Sequence, residues 1–269
     1  MNAESFGLKC PALVFLHHFG GSSGTWDGVI ARLGASFEAI AFDLPGFGAE
    51  AAARGPFTVH AYADFVAARV RSLGLHSYML IGHSMGGKIA LALAARRPTK
   101  LDALILLAPS PPTPEPIEEA MRSALIAGWG QYNAASQILG RITAAPLPLE
   151  LRERAIADMM ACGKCAWDAW LEEGSRENIS ASLGRIEVPV TILSGDRDDA
   201  LPTALIEREV AGRLARVRLL RVDGAGHLLP LEAPDAVVAA IRQVAGEASQ
   251  LRSTAKHDRR PEFRNSATR

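Results

Sequence analysis

The sequence predicts an α/β fold: a mostly parallel central sheet flanked by helices, with a helical cap inserted after its fourth strand. Three observations carry that expectation. Short β-branched or leucine-rich runs alternate along the 269 residues with longer stretches of helical period, the pattern of a parallel sheet covered by helices. Several of these runs are apolar throughout, as strands buried on both faces are. The alternation breaks at Ala108-Pro109-Ser110-Pro111-Pro112-Thr113-Pro114-Glu115-Pro116, where the prolines can continue neither a strand nor a helix.

Taken in order, the first strand is expected over 12–16, Ala-Leu-Val-Phe-Leu, which holds no polar side chain. A helix at 26–33 and a strand at 38–43 follow. Helical period over 59–73 and 85–96 brackets a third strand at 78–81, and Pro98 stands where the second of these helices should stop. A fourth strand at 103–107 runs into the proline stretch. From Ile117 to Leu183 the period is helical and no strand run appears, so residues 112–183 are read as the cap and residues 1–111 and 184–248 as the core. Strands at 190–193 and 217–222 complete a set of six. Between them lies a helix at 203–214, introduced by Pro202, and a last helix at 235–244 follows Pro234. From residue 249 the apolar periodicity fades while Arg252, Lys256, Arg259, Arg260, Arg264 and Arg269 accumulate, the composition of a mobile basic tail over 249–269.

Lysine plus arginine balances aspartate plus glutamate at 29 each, so no global field draws the chain to nucleic acid or to an anionic membrane. No apolar run approaches the roughly 18 residues of a membrane span. Glu4, with no basic segment ahead of the first strand, does not make a leader, and a cytoplasmic protein is expected. The odd count of three cysteines agrees with a reducing compartment. Cys162-Gly163-Lys164-Cys165 lacks a second pair or a nearby histidine to complete a zinc site, and neither metal nor cofactor is expected.

The chemistry gathers in the turns that follow strands. Gly82-His83-Ser84-Met85-Gly86 is a G-x-S-x-G between a strand and a helix. So tight a turn strains the serine, lifts its oxygen above the sheet and needs small neighbours. The helix behind it offers free N–H groups, and the Met85 amide is placed to bind an oxyanion beside Ser84. A lone serine is a poor nucleophile, so the site demands a histidine base and a carboxylate to orient it. His227 lies in a glycine-rich turn after the last strand. Asp196, Asp198 and Asp199 share the loop after the fifth, and composition does not choose among them. The order serine, acid, histidine suits this architecture.

Other loops are read more plainly. His17-His18-Phe19-Gly20-Gly21-Ser22-Ser23-Gly24 follows the first strand, and the Phe19 amide is the expected second oxyanion donor. Asp43-Leu44-Pro45-Gly46-Phe47-Gly48 lacks the third glycine of a dinucleotide fingerprint and reads as a structural loop. Lys88, one helical turn beyond Ser84, is expected in solvent or in a structural ion pair.

With these residues assembled, the chain resembles the α/β-hydrolase superfamily from about Ala12 to Val244. The resemblance implies Ser84 as nucleophile, His227 as base and Asp198 as the orienting acid, because Gly195-x-x-Asp198-x-x-x-Pro202 matches the family's spacing. The family's first loop usually reads His-Gly before the oxyanion residue; here His18 stands in place of that glycine. The expected activity is hydrolysis of small apolar esters or related carbonyl substrates, with no nucleic-acid or membrane partner. His18, His83, Trp129 and Trp167 are the expected pocket residues. Residues 112–183 hold six basic and ten acidic side chains, a net of −4 that disfavours polyanionic substrates. The alternatives are a carbon–carbon bond hydrolase of ring-fission products, a lactonase or perhydrolase, and a ligand receptor on the same fold. Oligomeric state is not legible.

Overall fold

The computed structural model describes residues 10–257. Among them, β1 (Ala12–Leu16), β2 (Ala39–Phe42), β3 (Tyr78–His83), β4 (Leu101–Leu107), β5 (Val190–Gly195) and β6 (Val217–Val222) form one sheet in the order β2-β1-β3-β4-β5-β6. Every pairing is parallel. The inner strands are buried almost throughout, whereas β2 and β6 at the edges are mostly half-exposed. Unbroken apolar runs thus fall where both faces are covered. Edge strand β6 carries Arg218 and Arg221, which pair with Glu247 and Glu207.

Three helices belong to the first half of the sheet: α1 (Asp27–Leu33), α2 (Val59–Ser72) and α3 (Met85–Ala94). Four more, α4 (Glu119–Ala127), α5 (Tyr132–Ile142), α6 (Leu149–Ala161) and α7 (Lys164–Glu172), lie between β4 and β5 with no strand among them. These form the cap. Then come α8 (Thr203–Glu209), the single turn α9 (Leu229–Glu232) and α10 (Pro234–His257). The chain leaves β1 toward one edge of the sheet and leaves β3 toward the other. Right-handed crossovers therefore put α1 and α2 on opposite faces, where α1 packs with α10 and α2 with α3. This reversal opens a crevice at the carboxyl ends of β1 and β3.

Helix α10 runs on past residue 249, where the fading periodicity placed the start of a tail. Residues 250–257 of the helix include glutamine, leucine, arginine, alanine and lysine, good helix formers, and no proline, and they continue a helix whose Ala245 and Ala248 are buried. Residues 258–269 of that expected tail lie outside the described residues. Among the described residues no helix is long and apolar enough to cross a membrane.

The two ends of the cap are tied to each other. Glu115 N–H donates to Ser175 O (2.8 Å) and Ile179 N–H to Pro112 O (2.7 Å). Beneath this junction lies Lys88, fully buried, where solvent or an ion pair was expected. Its Nζ faces the Thr113 and Ser175 carbonyls at 3.4 Å each and stands 5.9 Å from the centre of the Trp170 ring. Those are long contacts for an ammonium. Burial accordingly lowers its pKa to about 8, against the opposing pull of Glu115 and Glu177.

The sign of the consequence is fixed by proton counting. Between pH 8 and 10.5 the unfolded chain holds the Lys88 proton and the folded chain does not, so folding stability rises with pH across that window. Relative to Lys88→Met, which has nothing to titrate, the wild type should gain on the order of 3 kcal/mol from pH 8 to pH 10.5. Urea unfolding of both proteins at four pH values measures it; parallel pH profiles would reject the buried-lysine account.

Candidate active site

Ser84 occupies the turn between β3 and α3 with φ 53° and ψ −116°, a left-handed conformation that costs roughly 1–3 kcal/mol for a residue with a side chain. The backbone around it holds that conformation in place. Ser84 N–H donates to Leu107 O (2.9 Å), and Ser84 O accepts from Gly87 N (2.8 Å), Lys88 N (3.2 Å) and Ser110 N (3.0 Å). The chain passes so closely that a Cβ on Gly82 would lie 2.5 Å from Gly86 O, and one on Gly86 would lie 2.5 Å from Leu16 O. Glycine is the residue type that fits both positions.

Two further loops bring their side chains to this serine. His227 Nε2 lies 2.9 Å from Ser84 Oγ, and His227 Nδ1 lies 2.7 Å from Asp198 Oδ2. With the carboxylate accepting from Nδ1–H, Nε2 is left free to accept the serine proton. Asp198 Oδ1 in turn accepts from the Ala200 and Leu201 amides at 2.9 Å each, which fixes the carboxylate's orientation. Of its neighbours, Asp196 is taken up by the Gly224 amide (2.7 Å) and Asp199 is exposed. All three side chains that meet are buried, Ser84 at 8%, Asp198 at 4% and His227 at 6% exposure.

Four imidazoles crowd this region, and their partners separate them. His17 Nε2 accepts from Leu44 N (3.1 Å), so its Nδ1–H donates to His18 O (2.8 Å); a second ring proton would face the Leu44 N–H. Burial lowers its pKa to about 4. His83 Nε2–H donates to His227 O (2.8 Å). Burial first, then the neighbouring imidazoles, hold His18 and His83 well below the ordinary value. Burial acts on His227 in the same direction, but there the Asp198 carboxylate, helped by Glu115 and Glu232, outweighs it and raises the pKa.

The expected pocket residues divide. Trp167 packs on Phe19 with ring centroids 4.3 Å apart, and Trp170 lies at 6.4 Å from the same ring. His18 lines a shallow cleft with Gly21, Thr25, Arg154, Asp158 and Leu231. His83 is fully buried behind His227, with its ring 5.2 Å away, and supports the loop from inside. Trp129 belongs to the cap's own packing: its Nε1–H donates to Cys162 O (2.9 Å) and Lys164 stands over its ring. The Asp43 loop is structural, its carboxylate accepting from Ser23 N (2.6 Å) and Ala49 N (2.9 Å). Cys162 and Cys165 are unpaired.

The chain belongs to the alpha/beta hydrolase family, whose model matches residues 13–240. Over 256 residues it is 29% identical to a pimeloyl-[acyl-carrier protein] methyl ester esterase of Aromatoleum aromaticum, covering 88% of this chain and 99% of that protein. With an uncharacterized protein of Mycobacterium bovis it shares 37% identity over 97 residues, 36% of this chain, and spans 28% of that relative's length. Its fold matches an esterase from Exiguobacterium antarcticum with a TM-score of 0.80 at 20% identity, covering 88% of this chain and 92% of the other.

The environments of the imidazoles make a direct prediction. In an NMR titration, His227 should protonate above pH 6.5, while His18 and His83 stay neutral well below it. Assignment rests on His→Gln variants of each. A His83 that titrates alongside His227 would contradict the partner-based separation.

Proposed function

We propose that this hydrolase cleaves small carboxylic esters through an acyl-enzyme on Ser84. One observation carries the reading: the unbroken hydrogen-bonded series from Ser84 Oγ to His227 to Asp198, at 2.9 and 2.7 Å, inside a buried site. As His227 Nε2 takes the hydroxyl proton, Ser84 Oγ attacks the ester carbonyl carbon. The imidazolium then returns that proton to the departing alkoxide. Water repeats the sequence on the acyl-serine, again with His227 as base. Asp198 holds the imidazole in its reactive tautomer and stabilises its charge. The developing oxyanion takes N–H donors from Met85, in the first turn of α3 where amides lack intrahelical partners, and from Phe19.

The likeness to a methyl ester esterase over nearly its full length supports ester chemistry. The Phe19, Trp167 and Trp170 rings beside the oxyanion loop supply an apolar wall for the acyl or alcohol group. On this reading, a fluorophosphonate probe labels wild type on Ser84 and p-nitrophenyl esters turn over many times. Rate per concentration should rise roughly fourfold per added methylene until the pocket fills. Ring-fission products and lactones belong in the same screen, and a faster turnover of either would displace the ester reading. Binding without repeated turnover would point to a receptor.

Two sets of variants test the assigned roles. Ser84→Ala should abolish ester hydrolysis, by about 10³-fold or more, with the unfolding midpoint moved by no more than roughly 3 °C. Asp198→Asn should reduce kcat by about 10³ to 10⁴ with a modest change in KM, whereas Asp199→Asn should be near wild type. An active Asp198→Asn protein would move the orienting role to another carboxylate.

A further inference from the structure

The histidine loop is held by a second carboxylate, on a different part of the loop from Asp198. Glu232 ends the single turn α9 and folds back over the residues that precede it. Its Oε1 accepts from Leu228 N (2.9 Å) and its Oε2 from Gly226 N (3.0 Å), so both neighbours of His227 in sequence donate to one side chain. The same Oε2 accepts from Ala144 N (2.7 Å), in the cap segment that leaves α5. Two residues earlier in that segment, Ile142 O accepts the N–H of His227 itself (2.9 Å). A side chain at Gly226 would block the joint, because its Cβ would lie 2.6 Å from Ala144 N and 3.1 Å from both Glu232 oxygens.

We propose that Glu232 is a positioning residue for the reaction: it fixes His227 between Asp198 and Ser84, and it ties that position to the docking of cap residues 142–144. The inference rests on the reading of Ser84, His227 and Asp198 as the catalytic set. Amide donors to an ionised acceptor make strong hydrogen bonds, and here three of them converge on one carboxylate. Gly224, three residues before His227, has φ 73°, so the loop is permissive just where it leaves β6. An error of about 1 Å in the placement of a reacting group is worth about 10²-fold in rate.

Glu232 also acts by charge. The groups that face His227 are Asp198 from the loop after β5, Glu115 from the segment after β4, Glu232 from α9, His18 from the loop after β1 and His83 at the end of β3. Of these, the carboxylates favour the imidazolium and the imidazoles oppose it. Replacing Glu232 by glutamine removes one negative charge and turns one acceptor into a donor that faces backbone N–H groups.

The test compares Glu232→Gln with Ala144→Pro, which deletes the cap's donor and sets the ring Cδ against Glu232 Oε2 in the place of that hydrogen, pushing cap and carboxylate apart while the charge stays. Thr143 has φ −113° and ψ 138°, the conformation that a residue before proline prefers. With a p-nitrophenyl ester, Glu232→Gln should lose about 10-fold to 100-fold in kcat with little change in KM, and the acid limb of its pH profile should move to lower pH. Ala144→Pro should lose less and leave that limb in place, and the double variant should lose less than the product of the two. Imidazole NMR reads the His227 pKa without turnover: it should fall in Glu232→Gln and stay in Ala144→Pro. Wild-type protein that hydrolyses no ester sinks the catalytic reading, while the NMR comparison still judges Glu232. A Glu232→Gln protein with kcat within about twofold of wild type and an unmoved His227 pKa overturns the proposal, as do strictly multiplicative losses. If Glu232→Gln does not fold, an unchanged kcat in Ala144→Pro overturns the coupling to the cap.

Discussion

The site depends first on how the backbone of one residue is held. Ser84 sits at positive φ because four backbone hydrogen bonds, reaching β4, the segment after it and the first turn of α3, all require it there. A strained residue persists when its surroundings over-determine it. Those surroundings come from the sheet: β3 lies between β1 and β4, in a register that puts Gly82 beside Leu16 and His83 beside Leu107. The glycine-rich loop after β1 and the serine after β3 therefore emerge side by side. The same crowding explains why the first turn of α3 holds glycine where it passes the Leu16 carbonyl.

Charge in the site is allocated by hydrogen-bond partners as much as by burial. His17, His18, His83 and His227 are all deeply buried, and desolvation disfavours the imidazolium of each. What distinguishes His227 is a carboxylate at 2.7 Å on the ring nitrogen opposite the serine. His83 spends its proton on the His227 carbonyl, and His17 must accept from the Leu44 amide. A proton added to either ring would bring a like charge toward His227. Keeping these neighbours neutral lets the one imidazole beside the serine bear positive charge at low cost, as the proposed acyl transfer asks of its base.

Much of this was legible because the relevant signals are local. The four inner strands read correctly as short runs that are apolar or nearly so, since both their faces are covered. Gly82 to Gly86 declared a turn through its glycines, while among Asp196, Asp198 and Asp199 only the resemblance to the family's spacing pointed to Asp198, the one whose carboxylate lies 2.7 Å from His227. Other features depend on what lies opposite in space. Lys88 was legible as a helical position, but the cap junction that seals it from water lies at Thr113 and Ser175, far along the chain. Trp129 and Trp167 are both cap tryptophans with no difference in pattern; only the packing of α7 against Phe19 separates them. Glu232, in a short Leu-Pro-Leu-Glu turn, carried no motif, because its meaning lies in three amides at 144, 226 and 228.

The cap's points of attachment explain why such distant residues matter. Rather than resting on the sheet alone, it bonds to the loops that carry the site. Asp158 of α6 accepts from Ser22 (2.7 Å) in the glycine-rich loop, Gly163 N–H donates to Gly46 O (2.9 Å) in the Asp43 loop, Trp167 of α7 lies on Phe19, and Ile142 accepts from His227. The exposed pair of Arg154 and Asp27 adds little by comparison, being open to solvent. A roof joined in this way transmits its own displacement to the loops, because packed interiors repack in steps and do not stretch smoothly. The geometry around Ser84 is thus a joint product of the sheet, which fixes the serine, and of the cap, whose Ile142 carbonyl holds the backbone of the histidine beside it.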